Sequence, residues 1–138
     1  MKLPQMLAAV AAFAFAAAAG AQDKVIYHFD AGLAQATKGL RNIRNHLEVD
    51  PKAKIVVVAH AEGVDFLMGG AQDANKNPYN GIVEGLKEQG VTFEVCRITL
   101  RNRKLDAKQF IPEVDFVASG VQRIAHLQQR EGYAYIKP

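Results

Sequence analysis

The amino-acid sequence predicts an α/β fold with a mostly parallel, five-stranded sheet and helices on both faces. Short segments rich in β-branched and aromatic residues alternate with segments whose apolar residues recur at spacings of three and four, the patterns of strands and amphipathic helices. Residues 53–60 are apolar almost throughout, as is typical of a strand buried on both faces of a sheet. The resulting order, β-α-β-α-β-α-β-α-β, favours a parallel sheet with right-handed crossovers.

The first 21 residues stand apart from this alternation. They contain one cation, Lys2, and no acid, and residues 7–19 consist of Leu, Ala, Val and Phe alone. A small-x-small sequence ends at Ala21, so residues 1–21 are predicted to be a secretory signal peptide. The apolar run is shorter and richer in alanine than the about 20 strongly apolar residues of a membrane span. We therefore expect no stable membrane anchor, an uncleaved anchor being the alternative, and a single exported, periplasmic domain of residues 22–138.

The composition excludes several functional classes. The formal net charge is +3 and falls to +2 if Lys2 leaves with the signal peptide; dispersed basic residues without interleaved aromatics do not predict nucleic-acid binding. The single cysteine allows no internal disulfide and no Cys-rich zinc site. The sequence has no P-loop, no G-x-G-x-x-G after the first strand and no G-x-S-x-G elbow. No cofactor is therefore predicted.

The mature chain begins with a predicted strand and helix. Residues 24–30 are rich in β-branched and aromatic side chains and form the first strand, and Asp30 is placed to cap the helix that follows. Pro51 ends that helix, because proline disfavours helical conformation in the residue before it. The apolar stripe of the helix is Leu33, Ala36, Leu40, Ile43 and Leu47.

The second strand is the apolar run of residues 53–60. Residues 63–70 are predicted to hold a short helical turn, and residues 71–80 form a polar surface loop near the carboxyl ends of the strands. Asn80 is placed to cap a second helix, which Gly90 ends.

The third strand leads to the cysteine. Residues 91–95 alternate apolar and polar side chains, and Cys96 follows them directly. The basic residues 97–103 fit a helical turn or a loop. Residues 106–109 have the spacing of a capping box and open a short helix that Pro112 closes.

The last segments repeat the strand-helix-strand pattern. Residues 114–118 form the fourth strand, and Ser119 and Gln122 have the spacing of a second capping box. Gly132 ends the last helix, and residues 133–136 form the fifth strand.

Polar or reactive residues stand at the ends of the first three strands. His28 and Asp30 close the first strand, His60 the second, and Cys96 the third. Ligands of open α/β sheets bind outside the carboxyl ends of the strands, so these side chains are expected to converge on one crevice. Each histidine can act as a base near neutral pH or serve as an ordinary hydrogen-bonded residue at a strand end.

Cys96 is the strongest candidate for covalent chemistry. A thiolate is the reactive form of cysteine, and nearby cations such as Arg97, Arg101 and Arg103, or a strand-to-helix turn, lower the pKa of a thiol. The alternative is a small, inert core residue, since free cysteines are often buried. A metal site of two histidines and the cysteine suits zinc or copper, but no local ligand spacing supports it, and no metal is predicted.

Four segments of the mature chain are similar to segments of a known protein family: residues 56–63 (VVVAHAEG), 90–96 (GVTFEVC), 116–121 (FVASGV) and 129–138 (QREGYAYIKP). Together they resemble the DsrE/DsrF-like family over essentially the whole mature chain. The resemblance implies an α/β sandwich with a mostly parallel sheet, assembled into homo-oligomers, often trimers or hexamers. In the sulfur-relay members a cysteine at the matching place accepts a persulfide and passes it to a partner protein, so Cys96 would carry the persulfide. Those members work in the cytoplasm, whereas this chain is predicted to be exported, and many members of its subgroup have no assigned activity.

The sequence thus predicts an exported sulfur-handling protein and possible sulfurtransferase, with Cys96 as the persulfide carrier and a sulfur donor or acceptor protein as its partner. Arg97 and Arg101 are expected to stabilise the thiolate or persulfide. Two alternatives stay open: an oligomeric, non-catalytic module that binds a small ligand or metal, and a structural assembly in which a neighbouring subunit covers the crevice. The residues expected to bind in the crevice are His28, Asp30, His60, Arg97 and Arg101.

Overall fold

The computed structural model describes Met1 and residues 21–138. The predicted signal peptide, apart from its two end residues, lies outside the described residues. In the part of the chain that is described, no helix is long and apolar enough to cross a membrane.

Strands and helices alternate along the described chain, as the sequence predicts, and the α/β class is confirmed. The strands are β1 (Lys24–Phe29), β2 (Lys54–Ala59), β3 (Thr92–Cys96), β4 (Val114–Val117) and β5 (Ala134–Ile136). The α-helices are α1 (Leu33–Val49), α2 (Asn80–Glu88), α3 (Arg97–Arg103) and α4 (Gly120–Glu131). Two 3₁₀ segments, Ala61–Leu67 and Ala107–Gln109, complete the elements of residues 21–138.

The five strands form one sheet in the order β4-β3-β2-β1-β5, and all of its pairings are parallel. The chain moves across the sheet from β1 to β4 and then crosses back, so that β5 pairs with β1. The carboxyl ends of all strands therefore meet at one edge, which is the edge where ligands of such sheets bind.

One face of the sheet carries the larger core, formed with α1, α2 and the first 3₁₀ segment. Phe29, Phe66 and Phe93 are fully buried there, and the ring of Phe66 packs against both other phenylalanines. Leu33, expected in the apolar stripe of α1, is exposed. The other residues of that stripe face the core as predicted: Ala36, Leu40, Ile43 and Leu47.

The second face of the sheet packs against α4. Arg123 of α4 makes a two-pronged ion pair with Glu94 of β3, from Nε to Oε2 at 2.8 Å and from Nη2 to Oε1 at 2.9 Å. Because Glu94 is only 6% exposed, this pair fixes α4 on the central strands. The apolar side chains of this second core are Ile26, Val56, Val58, Ile124, Leu127 and Tyr133.

Two of the predicted helix caps are wrong and two are confirmed. The residue before α1 is Gly32, because the chain makes a turn between β1 and the helix, so Asp30 lies too early to cap it. Asn80 is the first residue of α2 rather than its cap. Asp106 forms the predicted capping box. Ser119 Oγ caps α4 by accepting a hydrogen bond from the Gln122 N–H at 3.4 Å, which is one of the two hydrogen bonds of the predicted box.

Candidate functional site

A cleft of about 370 Å³ opens beside the carboxyl ends of β2 and β3. Its walls come from the turn after β2, from α3 and from the start of α4. It is therefore built where the parallel sheet brings three crossovers together. The lining side chains that bear on chemistry are His60, Glu62, Cys96, Thr99, Arg103 and Ser119.

Cys96 ends β3, directly before α3, and is 4% exposed. Burial raises the pKa of its thiol, but hydrogen bonds outweigh that effect: from the backbone N–H groups of Gly120 and Thr99, from the Thr99 hydroxyl and from the Ile98 N–H. The net result is a pKa below that of an ordinary cysteine. The starts of two helices, α3 and α4, thus supply the donors that stabilise a thiolate.

Thr99 is a site residue that the sequence reading missed. Its side chain is buried, and its Oγ1 accepts a hydrogen bond from the Ala61 N–H at 2.9 Å. That leaves the single hydroxyl hydrogen for the sulfur of Cys96. Ala61 has a positive φ of 49°, uncommon for a residue other than glycine, so this hydrogen bond also holds the turn after β2. The available signal was the Cys-x-x-Thr spacing at a strand-to-helix junction, the same spacing as a helix cap.

Gly120 is a second missed residue. A Cβ placed on it would lie 3.3 Å from the Cβ of Cys96 and 3.3 Å from the Cβ of His60. The first residue of α4 therefore packs between the two candidate residues of the cleft. The absence of a side chain lets its N–H approach the thiol closely.

His28 and His60 meet edge to edge, Nε2 to Nε2, at 2.6 Å. The ring centroids are 4.8 Å apart with planes tilted by 26°, close to the separation of two imidazoles that face each other in line. One proton must lie between the two nitrogens, because two bare lone pairs would repel. On its other side, His28 Nδ1 contacts the Tyr135 hydroxyl at 2.6 Å. Burial, followed by the charges of His60 and Lys137, lowers the pKa of His28, while Asp30 opposes them.

Asp30 lies beside this histidine pair. Its Oδ2 accepts a hydrogen bond from Lys137 Nζ at 2.7 Å, and its Oδ1 accepts one from Gln35 Nε2 at 3.2 Å. The Lys137 hydrogen bond lowers the pKa of Asp30; burial raises it, and Gln35 lowers it further. One oxygen of Asp30 and one nitrogen of each histidine lie within 4.8 Å of one another. This group offers two imidazoles and a carboxylate, ligand types that bind divalent metals.

Some of the predicted site residues lie at the cleft, and the two predicted arginines lie on the exposed side of α3. Cys96 and His60 both line the cleft, and His28 connects to it through His60. Arg97 and Arg101 lie on α3 and are exposed; the Arg97 guanidinium lies 4.9 Å from the centre of the Phe116 ring, and neither arginine lines the cleft.

Arg103 is the arginine of α3 that lines the cleft. Its Nη1 donates to Asp65 Oδ1 at 2.6 Å and to the Ala61 carbonyl at 2.9 Å. It therefore ties α3 to the 3₁₀ segment after β2. The position of a side chain around a short helix decides which arginine faces the cleft, and the basic run in the sequence does not reveal it.

Fold and site together define a parallel α/β domain that presents a polarised thiol at the carboxyl edge of its sheet. The chain belongs to the DsrE/DsrF-like family, whose sequence pattern matches residues 4–138. The resemblance noted from the sequence is thereby confirmed. Membership of this family points to a sulfur-relay type of function.

Two solved structures are similar to this chain. A protein of unknown function from Methanobacterium thermoautotrophicum, MTH1491, is 34% identical and aligns over 85% of this chain and 100% of its own, with a TM-score of 0.74. The ychN protein from E. coli is 16% identical and aligns over 84% of this chain and 100% of its own, with a TM-score of 0.66; this second likeness concerns the fold. No curated protein matches the chain significantly.

Proposed function

We propose that the protein carries sulfane sulfur as a persulfide on Cys96. The observation that supports this most directly is the environment of the thiol: it borders a cleft and receives hydrogen bonds from the starts of α3 and α4 that lower its pKa. A cysteine with a lowered pKa holds more thiolate at neutral pH, and the thiolate is the form that attacks sulfur. Family membership favours the same chemistry.

The transfer would proceed by two thiol exchanges that need no oxidant or reductant. The Cys96 thiolate attacks the outer sulfur of a donor persulfide, R–S–SH; the new S–S bond forms as the S–S bond of the donor breaks. The donor leaves as R–SH, taking the proton, and Cys96 becomes Cys–S–S⁻. An acceptor thiolate then attacks the outer sulfur and Cys96 leaves as a thiolate, which is easier for a thiol of low pKa.

The surroundings of the cleft suit a protein donor or acceptor. Val121, on the rim, is 62% exposed and Ile98 is 37% exposed, so apolar side chains flank the entrance. These two side chains would be covered when a partner protein docks over the cleft. We propose that the mature chain acts in the periplasm as a homo-oligomer, a trimer or hexamer, and exchanges sulfur with a separate protein. The roles of Arg97 and Arg101 in holding the persulfide remain predictions.

The test uses the mature chain, residues 22–138, and its Cys96→Ser variant. Alkylation of Cys96 by iodoacetamide across a pH series should give an apparent pKa below about 8.5, the value of a free cysteine. After treatment with glutathione persulfide, intact-mass measurement should show one added sulfur atom on the unsubstituted chain and none on Cys96→Ser. That sulfur should then move to an added thiol. Labelling that occurs only after unfolding, together with no added sulfur, would exclude a carrier role.

A further inference from the structure

We propose that His28, Asp30 and His60 form a binding site for a divalent transition-metal ion. The site lies beside the thiol cleft and does not depend on the persulfide chemistry of Cys96. The three ligand atoms already lie within 4.8 Å of one another.

Backbone pairing holds the three ligands in place. His28 belongs to β1, Asp30 follows β1, and His60 follows β2. The two strands are paired in parallel up to Phe29 and Ala59, and the His60 N–H donates to the Phe29 carbonyl at 3.0 Å. The ligands therefore project from adjacent, hydrogen-bonded backbone, the kind of rigid support that a metal site needs.

The contact between the histidines is the strongest indication. Two Nε2 atoms at 2.6 Å require a shared proton, and a metal ion bound by both nitrogens would replace it. Zinc–nitrogen bonds are about 2.0–2.1 Å long, so in a tetrahedral site the two nitrogens would separate to about 3.3 Å. The two nitrogens need to move apart by less than an ångström, and the Asp30 oxygen needs to move inward. Because the rings face each other almost in line, they also need to turn so that both lone pairs converge on one ion.

The groups behind the ligands have the arrangement found around metal-binding residues. The Tyr135 hydroxyl contacts His28 Nδ1, so its oxygen can accept a hydrogen bond from Nδ1–H, and this tautomer leaves Nε2 bare for the metal. Gln35 and Lys137 both donate to the Asp30 carboxylate. Ligating histidines and carboxylates commonly have such outer partners, which fix their orientation.

Lys137 opposes the metal as well as orienting its ligand. Its ammonium lies 2.7 Å from Asp30 Oδ2, so its charge repels a cation bound at the same carboxylate. Because the Lys137 side chain is half exposed, it can be replaced without opening the core. The structure thus predicts that Lys137→Gln strengthens metal binding, which a merely structural cluster would not show.

The experiment is a titration of the untagged mature chain with Zn²⁺ by isothermal calorimetry. Zn²⁺ is chosen because it has no redox chemistry, and Cys96→Ser serves as the background so that the thiol does not contribute. We expect one Zn²⁺ per chain. His28→Gln, His60→Gln and Asp30→Asn should each weaken binding by about tenfold or more, whereas Lys137→Gln should tighten it.

His126→Gln is the matched control, because His126 is an exposed imidazole on α4, 3.3 Å from Glu131; binding should be unchanged. Nitrogen NMR of the histidine rings provides a readout that does not depend on whether the variants fold: Zn²⁺ should shift the Nε2 signals of His28 and His60 together. No saturable binding, ring signals of those two histidines that do not move, or binding lost in His126→Gln would each overturn the proposal.

Discussion

The hydroxyl of Thr99 lies between two groups of the site, the backbone N–H of Ala61 and the thiol of Cys96. Its hydrogen bond to sulfur stabilises the thiolate and so lowers the pKa of Cys96. We predict that Thr99→Val raises that pKa, shifts the alkylation profile of Cys96 to higher pH, and slows labelling at neutral pH, where less thiolate remains. Thr99→Ser retains the hydroxyl and should keep the original profile.

The stability of Thr99→Val and Thr99→Ser has to be measured as a control. Thr99→Val also leaves the Ala61 N–H without its partner, at a cost of about 1–3 kcal/mol, which urea unfolding should reveal. Labelling must therefore be compared under conditions where both variants stay folded. A Thr99→Val protein that is folded and has an unshifted profile would show that the hydroxyl does not set the pKa of the thiol.

Some residues of the candidate site are predictable from the sequence and others are not. His60 and Cys96 stand at strand ends, which lie along the same edge of any parallel sheet. They meet because β2 and β3 are neighbours in the sheet, and the sequence alone leaves that strand order open. Gly120 and Tyr135 reach the site from later segments, and their proximity depends on how the chain crosses back over the sheet. No local pattern in the sequence records that path.

Among the elements, the first 3₁₀ segment depends on a glycine at its closest approach to the sheet. A Cβ on Gly63 would lie 2.1 Å from the Phe29 carbonyl oxygen and 2.6 Å from the Asp30 backbone nitrogen. We predict that Gly63→Ala destabilises the protein by at least the about 1–3 kcal/mol typical of overpacking, because rigid backbone has to move. Urea unfolding at constant pH measures this change.

Gly85→Ala provides the matched control for that prediction. Gly85 lies inside α2, and a Cβ there would meet no atom within 4 Å. Alanine favours helix over glycine, so this variant should be more stable by about 0.5–1 kcal/mol. Equal effects of the two substitutions would contradict the close approach at Gly63.

Sequence patterns predict long helices better than short ones. The stripe of α1 is predictable because apolar residues recur over seventeen helical residues. The segment Arg97–Arg103 is only seven residues long and largely exposed, with Thr99 and Leu100 buried, so its periodicity is too short to separate helix from loop. What it packs on decides its structure, and that depends on the rest of the fold.

For the whole molecule, the return of the chain to the far edge of the sheet is the decisive step. β5 pairs with β1, which places Tyr135 beside His28 and Lys137 beside Asp30. The composition and element order predict the class and the parallel sheet, because buried apolar strands and intervening helices require them. The order of the strands depends on contacts between distant parts of the sequence. The contacts of Tyr135 and Lys137 with the candidate metal ligands follow from that order.

The ion pair between Arg123 and Glu94 connects that returning segment to the centre of the sheet. Arg123→Met would leave the Glu94 carboxylate buried without its partner. We predict that it lowers the free energy of unfolding by about 2–3 kcal/mol, measured in urea; partial exposure of Arg123 keeps this loss below that of a fully buried pair.

The double variant Arg123→Met, Glu94→Leu should recover most of this loss, because replacing both charges by apolar groups is often neutral. Exposed Arg130→Met should change little. If the double variant is no more stable than Arg123→Met, the unpaired carboxylate of Glu94 is not the cause of the lost stability.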